Sequence, residues 1–291
     1  QDNDFIMKKL NIAIIGLGNI GSYLYKYLND NKKILTEKNN CLPVIKYVSA
    51  KNKNRKRHIR IKKNQWLKNY LDSTKKKDVD LIIELIGGAE GPAKKLVFNA
   101  LKNKKHVVTA NKALIAKYGD QLAKIAERNK VNLEFEASVC GGVPIIRSLK
   151  EGLIANKISK IYGIFNGTSN YILSSMDKQN KDFKEVLFNA KSLGYAETNP
   201  SADLNGDDVS SKLMILSSLC FNSFLNNNVY VEGIKDIDKS DIDNANRFGY
   251  KIKLLGYAEF FNNKIYQRVH PTLIKKDSYV ASIDGVLNAV I

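Results

Sequence analysis

Residues 10–15 form a short apolar run that ends in Gly16-Leu17-Gly18-Asn19-Ile20-Gly21. Few features restrict a chain more. An apolar run of this length reads as a buried parallel strand, and a helical pattern follows over residues 20–28, with Tyr23, Leu24, Tyr27 and Leu28 expected on one face. Strand, glycine turn and helix in this order match G-x-G-x-x-G. In that motif the first glycine makes the tight turn, the second lets backbone approach a pyrophosphate, and the third brings helix and strand close together. The helix N-terminus offers free amides and partial positive charge to the same anion.

The alternation continues. Residues 43–49 read as a second strand, 51–63 as a basic loop or solvated edge, and 79–86 as a third strand closed by Gly87-Gly88. Pro92 opens a helix through Val97 and Leu101, residues 106–109 form a strand, 114–130 a helix, and 131–137 a strand stopped by Cys140-Gly141-Gly142. Strands alternating with helices predict an α/β fold, a Rossmann-type doubly wound parallel sheet. After Pro144 the character changes. A helix is expected to about Gly152, a strand over 157–165, a helix capped by Thr168 or Ser169 through Met176, and a helix over 183–193 stopped by Gly194. An amphipathic helix over 207–221 places Val209, Leu213, Leu216 and Cys220 on one face, and strands follow at 229–234, 252–261 and 265–274. Asn262-Asn263 joins the last two as a hairpin, which calls for an antiparallel or mixed sheet and a second, α+β domain. The expected division is a dinucleotide-binding domain over 8–143 and a substrate-binding and dimerisation domain over 144–291.

Composition bounds the partners. No apolar run approaches the roughly 18 residues of a membrane span, and residues 1–10 lack a secretory signal pattern, with Met7 reading as a natural start. Cys41, Cys140 and Cys220 are dispersed and odd in number, which argues against a disulfide framework and for a reducing, cytoplasmic compartment. The formal charge is +18, but lysine is abundant throughout and not gathered in one stripe. That dispersal favours an anionic small molecule over a nucleic-acid partner.

Within the first domain the residues assigned to the dinucleotide are Gly16, Leu17, Gly18, Asn19, Ile20 and Gly21, with Ile86 and Gly87 after the third strand. NAD sites usually carry an acid after the second strand. Here Val48-Ser49-Ala50-Lys51-Asn52-Lys53 has none. Lys51 and its neighbours could meet a 2′-phosphate, favouring NADP over NAD, or could be solvated loop lysines. Lys112, at the carboxyl end of a strand, could stabilise an alkoxide or carry a proton. Equally, Asn111 could simply cap a helix beside a surface lysine. Glu197, Asp203, Asp207, Asp208 and Lys212 gather near the start of the 207–221 helix, with Asp208 and Lys212 an i, i+4 pair. By periodicity alone these are helix caps and an ion pair.

Six segments change that balance: IAIIGLGNIG, LIIELIGG, VVTANKALIA, EASVCGGVPII, FNGTSNYIL and GYAETNPSADLNGDDVSSKLMIL. Together, from about Leu10 to Leu219, they resemble homoserine dehydrogenase, in the family's order. The last is the most specific, an acid followed by D-L-x-G-x-D-x-x-x-K. The resemblance implies NADP- or NAD-dependent interconversion of L-aspartate 4-semialdehyde and L-homoserine. It implies Lys212 as the catalytic proton carrier, Asp208, Glu197 and Asp203 as acids around the substrate, and Lys112 between nicotinamide and substrate. Gly194 is implied to touch the cofactor, and Thr168 to Asn170 to wall the substrate pocket. Glu136, Val139, Gly141 and Val143 are implied to bind a monovalent cation, sodium, largely through carbonyls. A homodimer is implied as well. The family pattern continues past Asn288-Ala289-Val290 with a glycine-rich segment, so the sequence is expected to be an incomplete stretch of the family's length. Two rival readings stand beside this one: an aldehyde-oxidising enzyme with Cys140 as nucleophile, and a non-catalytic basic regulator.

Overall fold

The structure is a computed structural model that describes residues 7–225 and 227–291. Its chain divides into two compact units, one up to Ser138 and one from Val139. The expected boundary lay a few residues later, after Val143.

The first unit is built on a five-stranded parallel sheet in the order β2-β1-β3-β4-β5. Its strands are β1 (Lys8–Ile15), β2 (Cys41–Ser49), β3 (Leu81–Glu84), β4 (His106–Thr109) and β5 (Leu133–Glu134). The helices are α1 (Asn19–Asp30), α2 (Lys32–Asn39), α3 (Pro92–Lys102) and α4 (Lys112–Asn129). The chain winds outward from β1 in both directions, so the strand ends at β1 and β3 straddle the point where the winding reverses. The α/β expectation holds. Ile12, Ile14, Ile45, Val48 and Ile83 form a dry core between sheet and helices.

Two local expectations change. In α1 the inward face carries Gly21 and Tyr25, with Leu24 and Leu28 packed against the same cluster, while Tyr23 and Tyr27 stand outside and stack on each other at 6.1 Å. Tyr25 turns inward, and its hydroxyl donates to Gln65 Oε1 at 3.0 Å. The strand expected over 131–137 is only two residues long, because the chain turns into a 3₁₀ turn at Glu136–Ser138.

The second unit holds a mixed five-stranded sheet, ordered β10-β6-β8-β9-β7. Its strands are β6 (Lys160–Ile164), β7 (Tyr230–Val231), β8 (Tyr250–Phe261), β9 (Lys264–Lys275) and β10 (Ala289–Val290). The helices are α5 (Ile145–Arg147), α6 (Gly167–Gln179), α7 (Phe183–Ser192), α8 (Ser201–Asn205), α9 (Asp207–Cys220), α10 (Lys239–Arg247) and α11 (Tyr279–Ser282). β8 and β9 pair antiparallel over their full length, and Asn262 and Asn263 both take positive φ, as a tight two-residue hairpin turn requires. Only β7 runs parallel to its neighbour. The cap of α6 is neither Thr168 nor Ser169 but Asn166, whose side chain accepts the Ser169 amide. Phe165 is fully buried behind that turn, against Gly256.

No helix among the described residues is long and apolar enough to cross a membrane.

Candidate functional site

The glycine turn divides its labour among three positions. Gly16 has φ +108°, and a Cβ there would lie 2.4 Å from the Leu85 carbonyl oxygen. A Cβ on Gly21 would lie 1.9 Å from the Gly16 carbonyl, so only glycine lets α1 pack this close to the turn. A Cβ on Gly18 would meet nothing within 4 Å. That open position heads α1, where no side chain caps the free amides. An anionic group can therefore settle there against backbone donors.

Two of the clefts around this turn reach the segment after β3. One, of about 1290 Å³, is lined by Gly16, Leu17 and Gly18 on one side and by Lys51, Lys53 and Arg55 on the other. The other, of about 510 Å³, runs over Gly18, Asn19, Ile20 and Gly21 to Ile86, Gly87 and Asn111. Ile20 and Ile86 expose their side chains to it, an apolar surface suited to flat rings. Lys51 thus lines the cleft with the expected residues. Lys112 begins α4 directly after Asn111 and is half-buried.

Among the described residues the larger cleft has no carboxylate in its lining; it is edged by Lys51, Lys53, Arg55, Arg57 and Lys68. Arg57 holds this edge in shape. It donates to the carbonyls of Leu17 at 2.9 Å and Asn52 at 2.7 Å, and lies over the Trp66 ring. Burial, reinforced by Arg55, lowers its pKa from the ordinary arginine value. The sequence points to Lys51 and its neighbours for a 2′-phosphate but does not single out Arg57. The alternating arginines signalled more, but their backbone targets are distant in sequence.

Glu84 was also missed. It is fully buried, accepting the amides of Ile86 at 2.7 Å and Gly87 at 2.9 Å and the Thr109 hydroxyl. The Thr109 oxygen accepts the Asn111 amide, and the Asn111 side chain donates to the Gly88 carbonyl. One carboxylate thereby fixes the ends of β3 and β4, and with them the floor of the smaller cleft. A lone acid inside Leu81-Ile82-Ile83-Glu84-Leu85-Ile86 was the available signal.

In the second unit two of the acids, Asp203 and Asp208, meet Lys212 around the start of α9, joined through Asn166. Lys212 Nζ lies 2.7 Å from Asp208 Oδ2 and donates to the Phe165 carbonyl at 2.6 Å. Asp208 is buried, 5% exposed, and Lys212 is 14% exposed. Asn166 donates to Asp203 Oδ1 at 2.8 Å and to Asp208 Oδ2 at 2.9 Å, while its own oxygen caps α6. One amide thus joins two carboxylates to a helix terminus. This is not the exposed i, i+4 pair that periodicity alone suggested, because burial and shared donors make its geometry specific. Asn166, within FNGTSNYIL, was not singled out. Thr168 donates to the Tyr195 carbonyl at 2.7 Å, which ties α6 to the loop carrying Gly194 and the exposed Glu197. Gly194 ends α7 with φ +76°.

Asn170 stands apart from this cluster. Its side chain is buried away from the carboxylates: the amide donates to the Ile283 and Leu287 carbonyls and the oxygen accepts Lys253. Buried polar atoms need partners, and these supply them.

Cys140 sits near Asp208 and Lys212. Burial pushes its thiol up to about 11; the Lys212 ammonium pulls it down and the Asp208 carboxylate raises it further. Cys140 and Gly142 both have positive φ, and the Val143 amide closes the turn on the Cys140 carbonyl at 2.9 Å. Glu136 ends the first unit, while Val139, Gly141 and Val143 open the second. Among the described residues no three His, Cys, Asp or Glu side chains gather as a metal cluster.

Residues 144–291 match the family model of homoserine dehydrogenase, and residues 16–136 match that of the homoserine dehydrogenase NAD-binding domain. The chain is 42% identical to the homoserine dehydrogenase of Neisseria gonorrhoeae over 98% of its length, and 40% identical to that of Bacillus subtilis. The chain belongs to the homoserine dehydrogenase family. It superposes on the homoserine dehydrogenase of Thiobacillus denitrificans with a TM-score of 0.91 at 40% identity, covering 98% of this chain and 66% of that one. With the Staphylococcus aureus homoserine dehydrogenase the TM-score is 0.85 at 40% identity, with coverage of 98% and 72%. It spans 65% of the Neisseria and 66% of the Bacillus relative. The match to the family's NAD-binding domain begins at the glycine turn and takes in β2 to β5 of the parallel sheet, and the match to its second domain takes in the mixed sheet and the Asp208–Lys212 pair.

Proposed function

We propose that this chain carries the catalytic core of an NAD(P)-dependent homoserine dehydrogenase. The reaction is the reversible reduction of L-aspartate 4-semialdehyde to L-homoserine, within threonine, methionine and isoleucine biosynthesis. The observation that carries the reading is the Asn166-centred cluster that holds Asp203, Asp208 and Lys212 together in a buried, hydrogen-bonded set.

A bound nicotinamide supplies the hydride to the aldehyde carbon. The open Gly18 position takes its pyrophosphate on the α1 amides, and Lys51 with its basic neighbours favours the 2′-phosphate of NADP over NAD. Ile86 and Gly87 border the same cleft, and Gly194 is assigned to the cofactor from the second unit. Lys212 Nζ has three N–H donors, of which Asp208 and the Phe165 carbonyl engage two. The third faces the substrate oxygen, stabilises its growing charge and delivers the proton. Lys112 would serve the same reaction from the first unit, as a cation toward the nicotinamide and the substrate. Asp208, Asp203 and Glu197 take the substrate's ammonium, with Thr168 in the wall of that pocket. A monovalent cation, sodium, suits the oxygen-only donors of Glu136, Val139, Gly141 and Val143, and would order the turn at Cys140. Free Cys41, Cys140 and Cys220 fit a reducing cytoplasm.

A homodimer through the second unit completes the reading. Alternate residues of β8 and β9, among them Tyr257, Phe261, Tyr266 and Arg268, share one sheet face with Tyr230 of β7, and three of these aromatics are more than half exposed. Such a face suits a second copy.

Oxidation of NADPH by the whole polypeptide in the presence of aspartate semialdehyde tests the reaction. Lys212→Ala should lower kcat by at least about a hundredfold while NADPH affinity by fluorescence titration stays within about twofold. Turnover near that of the parent would refute the assignment. The rival with Cys140 as nucleophile is disfavoured, since a thiol near 11 holds almost no thiolate at neutral pH.

A further inference from the structure

Lys253 is 1% exposed, the most deeply buried charge in the second unit, and the proposed chemistry makes no use of it. Its Nζ donates to the Ile283 carbonyl at 2.6 Å, to Asp284 Oδ1 at 2.9 Å and to Asn170 Oδ1 at 3.0 Å. All three N–H groups are directed at oxygens, and Asp284 also meets Lys178 at 2.8 Å. A buried ammonium is tolerated only when paired in this way. What the pairing holds is a strap, residues 283–290. Asn170 fastens it at two points, through the Ile283 and Leu287 carbonyls. Its middle crosses the first turn of α6 so closely that a Cβ on Gly167 would lie 2.6 Å from the Val286 carbonyl oxygen. Its end pairs as β10 with Gly163 and Ile164 of β6. The next two residues of the chain are Phe165, whose carbonyl holds Lys212, and Asn166, whose amide holds Asp203 and Asp208. Asn166 and Asn170 are one helical turn apart, so α6 carries the catalytic cluster at its cap and the clamp one turn later.

We propose that Lys253, with Asn170 and Asp284, is a positioning centre that clamps the 283–290 strap over the β6–α6 turn and so keeps Asn166 and the Phe165 carbonyl in place for Asp208 and Lys212. This rests on Lys212 being the proton carrier of the assigned reaction. Loss of the clamp leaves every catalytic side chain present but loosely held, and small displacements of that kind cost large factors in rate.

The test uses Lys253→Met and, should that variant fail to fold, Asn170→Asp, which keeps an acceptor for Lys253 but loses both donations to the strap. In the whole polypeptide, kcat for NADPH-dependent semialdehyde reduction should fall by about tenfold or more, with the KM for NADPH within about twofold. By hydrogen exchange, the paired amides of Tyr162 and Ile291 and the Asn166-bound amide of Ser169 should exchange about tenfold faster or more, while the amides of β1 do not change. Unchanged strap amides, or loosened strap amides with unchanged kcat, would overturn the proposal. An inactive parent enzyme would instead strike the assigned reaction, and the exchange measurement would still decide whether the clamp exists.

Discussion

At the scale of single residues, environment sets the chemistry that residue type leaves open. Cys140 and Lys212 lie in one neighbourhood, yet burial silences the thiol while hydrogen bonds aim the ammonium. Iodoacetamide at pH 8 should therefore leave Cys140 unmodified in the folded protein and label it on unfolding in urea. Mass spectrometry of the Cys140 peptide decides this, and rapid native labelling would contradict the buried assignment. Asp284 gives a pH prediction. Burial tends to raise its pKa, but Lys178 and Lys253 outweigh that and hold it at about 2, below the ordinary 3.8. A folded-state pKa below the unfolded one stabilises the fold above the unfolded pKa, and that contribution vanishes as pH falls through the folded pKa. Asp284→Asn should hence cost about 1–2 kcal/mol near neutral pH, allowing for partial solvent screening, with the gap closing between about pH 4 and pH 2. Urea unfolding across that range measures it.

At the scale of elements, the turn before α1 separates folding from binding. Gly21→Ala forces a Cβ into backbone 1.9 Å away, so α1 must shift. This variant should lose about 2–4 kcal/mol of stability, in the range of overpacking and strain. Gly18→Ala adds its methyl to open space at an ordinary φ of −74° and should unfold within about 0.5 kcal/mol of the parent. It should nonetheless bind NADPH at least about tenfold more weakly, because that open space is where the pyrophosphate must approach. Equal effects of the two substitutions on stability would contradict this division. The helices missed by the sequence reading show what periodicity leaves out. α2 is polar over most of its length and buries only Thr36, so it has no apolar stripe to read. α10 is marked instead by a capping box at Asp238 and Asp241, a terminus signal rather than a periodic one.

At the scale of the whole molecule, the aromatic face of the mixed sheet carries the assembly prediction. Tyr266→Lys combined with Phe261→Lys should convert a dimer into folded monomers by sedimentation equilibrium, with circular dichroism unchanged. Monomers in the parent protein would remove the dimer from the reading. The cations behind the net charge of +18 differ in how they are held. Around the larger cleft the cations are ordered by Arg57, whereas most lysines elsewhere are solvated and bear on no site. Raising salt should accordingly weaken NADPH binding more than NADH binding.

The sequence by itself determined the alternation of strand and helix, the glycine turn, the Asn262-Asn263 hairpin and the membership of Asp208 and Lys212 in one helix face. These depend on neighbours within a few residues, where backbone sterics and side-chain periodicity act directly. Only the tertiary structure decided which polar groups meet. Asn166 with Asp203 and Asp208, Arg57 with the Leu17 carbonyl, Glu84 with Thr109, and Lys253 with Asn170 and Asp284 are all pairings across tens of residues. A buried polar atom takes whatever partner the packed fold brings within 3 Å, and no local pattern encodes that choice.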